Sequence, residues 1–209
     1  MPILRPHQDS ANVNMAEYRK GVVVMPTGSG KTYTMAADAD RVFESTTDKT
    51  IVVVAPTIVL TNQLSREFLD IITVKNVMCV HSGETRHFTD TDPRMIHTWH
   101  TLSAGHKIIF TTYHSLHRII ESRIHIDTIY FDEAHNSVKK QWYSSIVEVS
   151  ETAGRCYFFT ASPKHSLTDA KPGMNNTDVY GEVICEVPTT EMISEGYIVP
   201  PTLHTITTD

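Results

Sequence analysis

Cysteine is scarce in this chain, with three in 209 residues. Cys79, Cys156 and Cys185 are odd in number and each sits among apolar neighbours, so they read as buried reduced thiols and exclude a disulfide framework. Long apolar runs are missing too. The segments 51–55 and 108–110 are strand-sized, far short of the ~18 residues that cross a bilayer, so no membrane partner is expected. The opening residues, Met1 to Gln8, hold no apolar core of signal-peptide length, and a cytoplasmic protein is the expectation. Positive charge is also in short supply: 18 Lys and Arg stand against 24 Asp and Glu, for a formal net charge of −6. That excludes a protein that holds nucleic acid through net basic charge. It does not exclude nucleic acid, because loop amides, hydroxyls and helix N-termini can grip phosphates on an acidic protein.

Histidine, by contrast, is plentiful at 12 residues. His97/His100 and His114/His117 are spaced as one helical face would place them. No Cys or carboxylate cluster joins them at ligand spacing, so they read as scattered surface histidines and no zinc is expected. Asn175-Asn176-Thr177 matches a glycosylation sequon, which carries no meaning in a cytosolic chain. The composition, 40% hydrophobic and 20% charged, argues against disorder. The length suits one large α/β domain or two small ones.

Short β-branched runs alternate with amphipathic segments. Residues 22–25, 50–55, 77–80, 107–111, 128–131, 156–160 and 182–187 read as strands, and 31–45, 59–72, 114–121 and 137–150 as helices. Strands that are apolar throughout and separated by helices imply an α/β fold with a mostly parallel central sheet of about seven strands and helices on both faces. In such sheets ligands bind beyond the carboxyl ends of the strands. The segment 84–105 breaks the rhythm and reads as a loop plus a short helix near 95–102, and 164–178 is another turn-rich stretch. The expected organisation is one domain over residues 1–200, with 201–209 beginning a linker after Pro200-Pro201.

Two of the post-strand loops carry chemistry. After the strand at 22–25 comes Pro26-Thr27-Gly28-Ser29-Gly30-Lys31-Thr32. Its glycines allow backbone N–H groups to curl around a phosphate, Lys31 supplies an ammonium for the β/γ-phosphates, and Thr32 a hydroxyl for Mg²⁺. The P-loop pattern has a glycine where this chain has Met25, and a plain glycine turn between strand and helix would share the other features. After the strand at 128–131 comes Asp132-Glu133-Ala134-His135. Asp132, first off the strand, suits a metal-holding role, and Glu133 suits a base that orients and deprotonates water. An acidic pair at a helix start would look the same in isolation.

The ordered set "LRPHQ" (Leu4–Gln8), "MPTGSGKT", "VVVAPTIVLTNQ" (Val52–Gln63), "TTYHSL" (Thr111–Leu116), "DEAH" and "FTASP" (Phe159–Pro163) resembles the first RecA-like domain of superfamily 2 helicases and translocases. The likeness is greatest to the DNA repair and recombination helicases and the type III restriction motor subunits, and it runs to "SEGYIVPP". The resemblance implies a RecA-like P-loop fold, ATP and Mg²⁺ as cofactors, and nucleic acid as the partner: DNA in the branch it most resembles, with an RNA helicase as the alternative, since no residue here marks a 2′-hydroxyl reader. It implies that Arg5 and Gln8 lie at the adenine, that Pro56, Thr57, Thr111 and Thr112 hold a nucleic-acid backbone, and that His135, Thr160 and Ser162 couple hydrolysis to movement. It also implies a second RecA-like domain, in cis or in trans, whose arginine completes the ATP site; such a group is worth roughly 10³ to 10⁵ in rate. The isolated chain is accordingly expected to bind nucleotide modestly, hydrolyse it slowly and unwind nothing. A non-catalytic ATP-dependent switch is disfavoured by Glu133, and a small-molecule kinase leaves DEAH and the threonine loops unexplained.

Overall fold

A computed structural model describes residues 3–45, 47–168 and 171–199 of the chain; the linker expected over 201–209 lies outside them. The first described helix is α1 (Pro6–Glu17), followed by strand β1 (Lys20–Val24), helix α2 (Lys31–Ser45), β2 (Thr50–Ala55) and α3 (Ile58–Ile71). Next come β3 (Asn76–Val80), β4 (Phe88–Thr89), α4 (Pro93–Leu102), β5 (Lys107–Thr112), α5 (Leu116–Glu121) and β6 (Thr128–Phe131). A 3₁₀ turn at Ala134–Asn136 leads to α6 (Lys140–Thr152), β7 (Arg155–Thr160), α7 (Thr177–Tyr180), β8 (Glu182–Glu186) and α8 (Thr189–Ser194).

The strands form one sheet in the order β4-β3-β5-β2-β6-β7-β1-β8. Every recorded pairing is parallel, so the sheet has eight strands where the sequence suggests about seven. The extra one, β4, pairs with β3 at only two positions inside a polar segment, too short to leave a periodic signal.

Alternation along each strand sends side chains to two cores. Val23, Val53, Phe110, Tyr130 and Phe159 pack under α1, α2, α3 and α8. Val22, Val54, Ile109, Phe131 and Phe158 pack under α4, α5, α6 and α7. This double coverage explains why the strands are apolar throughout. Among the described residues no helix is long and apolar enough to cross a membrane.

A buried polar network fixes α2 against the sheet. Asp38, 1% exposed, accepts from Arg155 Nη2 at 2.9 and 3.1 Å, from the Tyr130 hydroxyl at 2.6 Å and from Arg41 at 3.2 Å. Since α2 begins at Lys31, this network also fixes where the glycine turn can sit. Two helices start later than the sequence suggests. Thr112–Ser115 forms a turn before α5, and Ser137 lies in the strap before α6, its buried hydroxyl donating to the Ala134 carbonyl and lying 3.0 Å from the Tyr180 hydroxyl.

Candidate nucleotide site and strand cleft

The chemistry-bearing loops all leave the carboxyl edge of the sheet, in two neighbouring groups. The glycine turn follows β1, Ser162 follows β7 and Asp132-Glu133 follows β6, and these three strands are adjacent. The loops after β2, β5 and β3 form the second group, beside the first.

In the first group, Gly28 and Gly30 adopt φ of +81° and +89°, conformations that a residue with a Cβ resists. A Cβ on Gly30 would come within 2.3 Å of Gln8 Nε2. Pro26 is half-buried, Thr27 exposed and Ser29 fully buried. The Ser29 hydroxyl closes the turn by donating to the Pro26 carbonyl at 2.7 Å. Lys31, 9% exposed, starts α2, and Thr32 follows it, half-buried in the helix's first turn. The ammonium of Lys31 donates to the Met25 and Pro26 carbonyls at 3.4 Å and stands 3.9 Å from Glu133 Oε1. The two motifs therefore meet above β7.

Asp132 is 9% exposed, and its carboxyl is pushed up to about 6, first by burial and next by the charge of Glu133, with Lys31 acting against both. Glu133 holds φ 48° and ψ 51°, a left-handed conformation uncommon for a non-glycine residue. Its Oε2 lies 3.3 Å from His135 Nδ1, which is 3.2 Å from the Thr160 hydroxyl. Burial lowers the His135 pKa, opposed by Glu133. Ser162 is exposed, and its N–H donates to Thr160 Oγ1 at 3.2 Å. Two carboxylates with one ammonium between the motifs form an under-compensated negative site. Such a site suits a divalent cation that Asp132 and Thr32 could hold together with phosphate oxygens. Among the described residues no cluster of three or more His, Cys, Asp or Glu is arranged to hold a metal by itself, and Mg²⁺ at a nucleotide does not require one.

Gln8 reaches this site, but its amide is already occupied. Nε2 donates to the Ser29 and Gly30 carbonyls at 3.3 Å each, while Oε1 accepts from the Arg5 N–H at 2.9 Å. As placed, Gln8 braces the glycine turn, and contact with a base would require the amide to swing away. Arg5 stacks on Tyr197, its guanidinium 4.4 Å from the ring centroid.

In the second group, Thr57 caps α3, its hydroxyl accepting from Leu60 N–H at 3.3 Å. Pro56, Thr57, Ile58, His81, Ser82, Thr112, His114 and Ser115 line a cleft of about 240 Å³. Thr111 does not join them. It is fully buried, and its hydroxyl donates to the Val80 carbonyl at 2.9 Å, bracing β5 to β3. The expectation that Thr111 touches a nucleic-acid backbone gains no support from this placement, because alternation along β5 turns its side chain away from the cleft. Thr112 remains at the cleft, 5% exposed. The sequence reading missed His81-Ser82, His114-Ser115 and Tyr113. The post-strand logic that found Pro56-Thr57 also applies to the residues after β3 and would have found His81.

The sequence profile of the family described as "Type III restriction enzyme, res subunit" (ResIII) matches residues 2–165. The chain belongs to the ResIII family. The ResIII fold is similar to the Type ISP restriction-modification enzyme LlaGI, solved in complex with a DNA substrate mimic, with TM-score 0.78 and 22% identity over 94% of this chain and 21% of that one. It is also similar to the UvsW helicase from bacteriophage T4, with TM-score 0.62 and 18% identity over 86% of this chain and 58% of that one. The helicase domain of Pyrococcus furiosus Hef gives TM-score 0.62 and 21% identity over 86% of this chain and 37% of that one. This chain thus spans between about a fifth and three-fifths of the length of these solved relatives. No curated protein matches it by sequence. The ResIII fold is RecA-like α/β, as the motif order implies.

Proposed function

We propose that this ResIII chain is the ATP-binding motor domain of a superfamily 2 DNA translocase or helicase. The observation that carries the reading is the 3.9 Å approach of Lys31 to Glu133, which brings the glycine turn and the acidic loop side by side across β7. The turn's N–H groups and the N-terminus of α2 cradle the β- and γ-phosphates, and Lys31 balances their charge. Mg²⁺, when bound, neutralises charge that develops on the phosphoryl oxygens. Asp132 and Thr32 are the residues that would hold it. Glu133 orients the attacking water and takes its proton, and His135 carries that change to Thr160 and Ser162. Pro56, Thr57 and Thr112 hold the strand backbone without reading sequence. Residues 1–200 form the domain and 201–209 begin the linker to a second RecA-like domain, in cis or in trans, which supplies the arginine that completes the ATP site. The greater length of the solved relatives supports that last part.

Titration of the full chain with a fluorescent ATP analogue and Mg²⁺, alongside ATPase rates with and without single-stranded DNA, tests the reading. Lys31→Ala should lose at least tenfold in nucleotide affinity, whereas Glu133→Gln should bind nucleotide and hydrolyse none. Equal affinity in Lys31→Ala and the unaltered chain would overturn the proposal.

A further inference from the structure

Asn136 directly follows the DEAH residues and closes the 3₁₀ turn Ala134–Asn136, half-buried. Its side-chain Nδ2 donates to the Glu133 carbonyl at 3.0 Å and stands 3.2 Å from His135 Nε2. Its backbone N–H donates to the same Glu133 carbonyl at 2.9 Å. Asn136 is itself held in place, because its carbonyl accepts from the Trp142 indole N–H at 2.9 Å. The indole in turn packs against Tyr113, with the Lys139 ammonium 5.3 Å from its ring centroid. One residue thus closes the turn on Glu133, whose φ of 48° needs such support.

The same contacts fix where the ring proton of His135 sits. A carbonyl can only accept, so the part of the Asn136 amide facing Glu133 is its NH₂ group. The second hydrogen of that group is the one within reach of His135 Nε2. A ring nitrogen that receives a hydrogen bond carries no proton of its own. The ring proton is therefore on Nδ1, which lies 3.3 Å from Glu133 Oε2 and 3.2 Å from Thr160 Oγ1. A charged ring would set a second N–H against the amide donor. Burial also disfavours the charged ring, as do Lys164, Lys139 and Lys31, against the pull of Glu133.

We propose that Asn136 is a positioning residue: it fixes His135 in the Nδ1–H tautomer and so aims the single ring proton at Glu133 and Thr160. The inference rests on the motor reading for its consequence and adds to it a residue outside the motif. While Glu133 is ionised, its carboxylate is the stronger acceptor of the shared N–H. When Glu133 takes the proton of the attacking water, that acceptor weakens and the N–H turns to Thr160. The Thr160 hydroxyl oxygen already accepts from the Ser162 N–H at 3.2 Å. No proton leaves Nδ1 in this exchange; only its partner changes. The opposite tautomer would face the carboxylate with a lone pair, and protonation of Glu133 would then form a bond to His135 instead of releasing one.

Side-chain nitrogen NMR of His135 in the full, nucleotide-free chain at neutral pH reads the tautomer. The unaltered chain should show a protonated Nδ1 and a bare Nε2. Asn136→Asp keeps the shape and replaces the donor by an acceptor, so Nε2 should gain a proton; Asn136→Ala removes the donor and should shift the ring toward Nε2–H. A protonated Nε2 in the unaltered chain, or unchanged ring signals in the variants, overturns the assignment whether or not the chain is a motor. Should Asn136→Asp fail to fold, Asn136→Ala and the unaltered chain decide. The consequence is read by ATP hydrolysis with Mg²⁺ and single-stranded DNA: kcat should fall roughly five- to tenfold in both variants, with KM within about twofold. An unchanged kcat beside altered ring signals overturns the positioning role, and so does a joint loss of kcat, KM and melting temperature, which marks a merely structural residue. An unaltered chain with the expected tautomer that neither binds nor hydrolyses ATP overturns the motor reading and leaves the tautomer assignment standing.

Discussion

Asp132→Asn replaces a buried carboxylate with a neutral group of the same shape, and its effect on stability follows from the titration of the unaltered residue. The folded carboxyl is pushed from 3.8 up to about 6 by burial and by Glu133. Between these two values the folded chain keeps a proton that the unfolded chain has lost, so stability falls as pH rises through that window and is flat above it. A rise of about two units corresponds to about 3 kcal/mol at neutral pH. The asparagine amide must find its own acceptors, so a gain of about 1–3 kcal/mol is expected, or roughly 3–10 °C in melting temperature for a chain of this size. Calorimetric melting in a chelating buffer at pH 7.5 and pH 5 measures it. The advantage of Asp132→Asn should shrink to roughly half at pH 5, where the unaltered residue is mostly protonated in the folded state. Adding Mg²⁺ and a nucleotide analogue should reverse the order, since ligand stabilisation requires the carboxylate. A variant that melts no higher than the unaltered chain at pH 7.5, or whose gain is the same at both pH values, would refute the argument.

Three other substitutions probe the supports of the site. Gly30→Ala forces a Cβ onto φ +89° and toward Gln8 Nε2; the strain is about 1–2 kcal/mol, and fluorescence titration should show nucleotide affinity down at least tenfold. Asp38→Ala strands the Arg155 guanidinium against the core, and urea unfolding should register a loss of about 3–5 kcal/mol. Tyr113→Phe removes the hydrogen bond to the Asp132 carbonyl. It should lower stability by about 1 kcal/mol and leave nucleotide affinity nearly intact, while ATPase assays should show less stimulation by a DNA strand.

The strands were legible because they are buried on both faces: 50–55 and 128–131 agree residue for residue with β2 and β6. The helix after the glycine turn was equally clear at 31–45. Helix α1 was not, because its buried side is His7, Gln8, Ala11, Asn12 and Met15, which leaves no apolar stripe to detect. The two ends of the candidate site were readable as motifs because each is contiguous and sits just past a strand. Tyr113 was not, because its role depends on β5 and β6 being separated only by β2, a fact of strand order that no local pattern encodes. Thr111 and Thr112 show the finer limit. Adjacent residues of one type received one role, and the pleat assigned them different faces.

That strand order also bears on how the two halves of the edge communicate. Asp132 N–H donates to the Val54 carbonyl at 2.8 Å, and the Asp132 carbonyl accepts from the Tyr113 hydroxyl at 2.9 Å. Tyr113 N–H in turn donates to the Ala55 carbonyl at 3.1 Å. The peptide that carries the proposed metal carboxylate is therefore clamped by the ends of β2 and β5, from which Pro56-Thr57 and Thr112–Ser115 emerge into the cleft. A strand that displaces either loop must stretch one of these bonds or carry Asp132 with it. Since close-packed interiors transmit strain with little slack, a ligand in the cleft would have a short mechanical route to the acid proposed to hold the metal, and the proposed nucleotide would have the same route back.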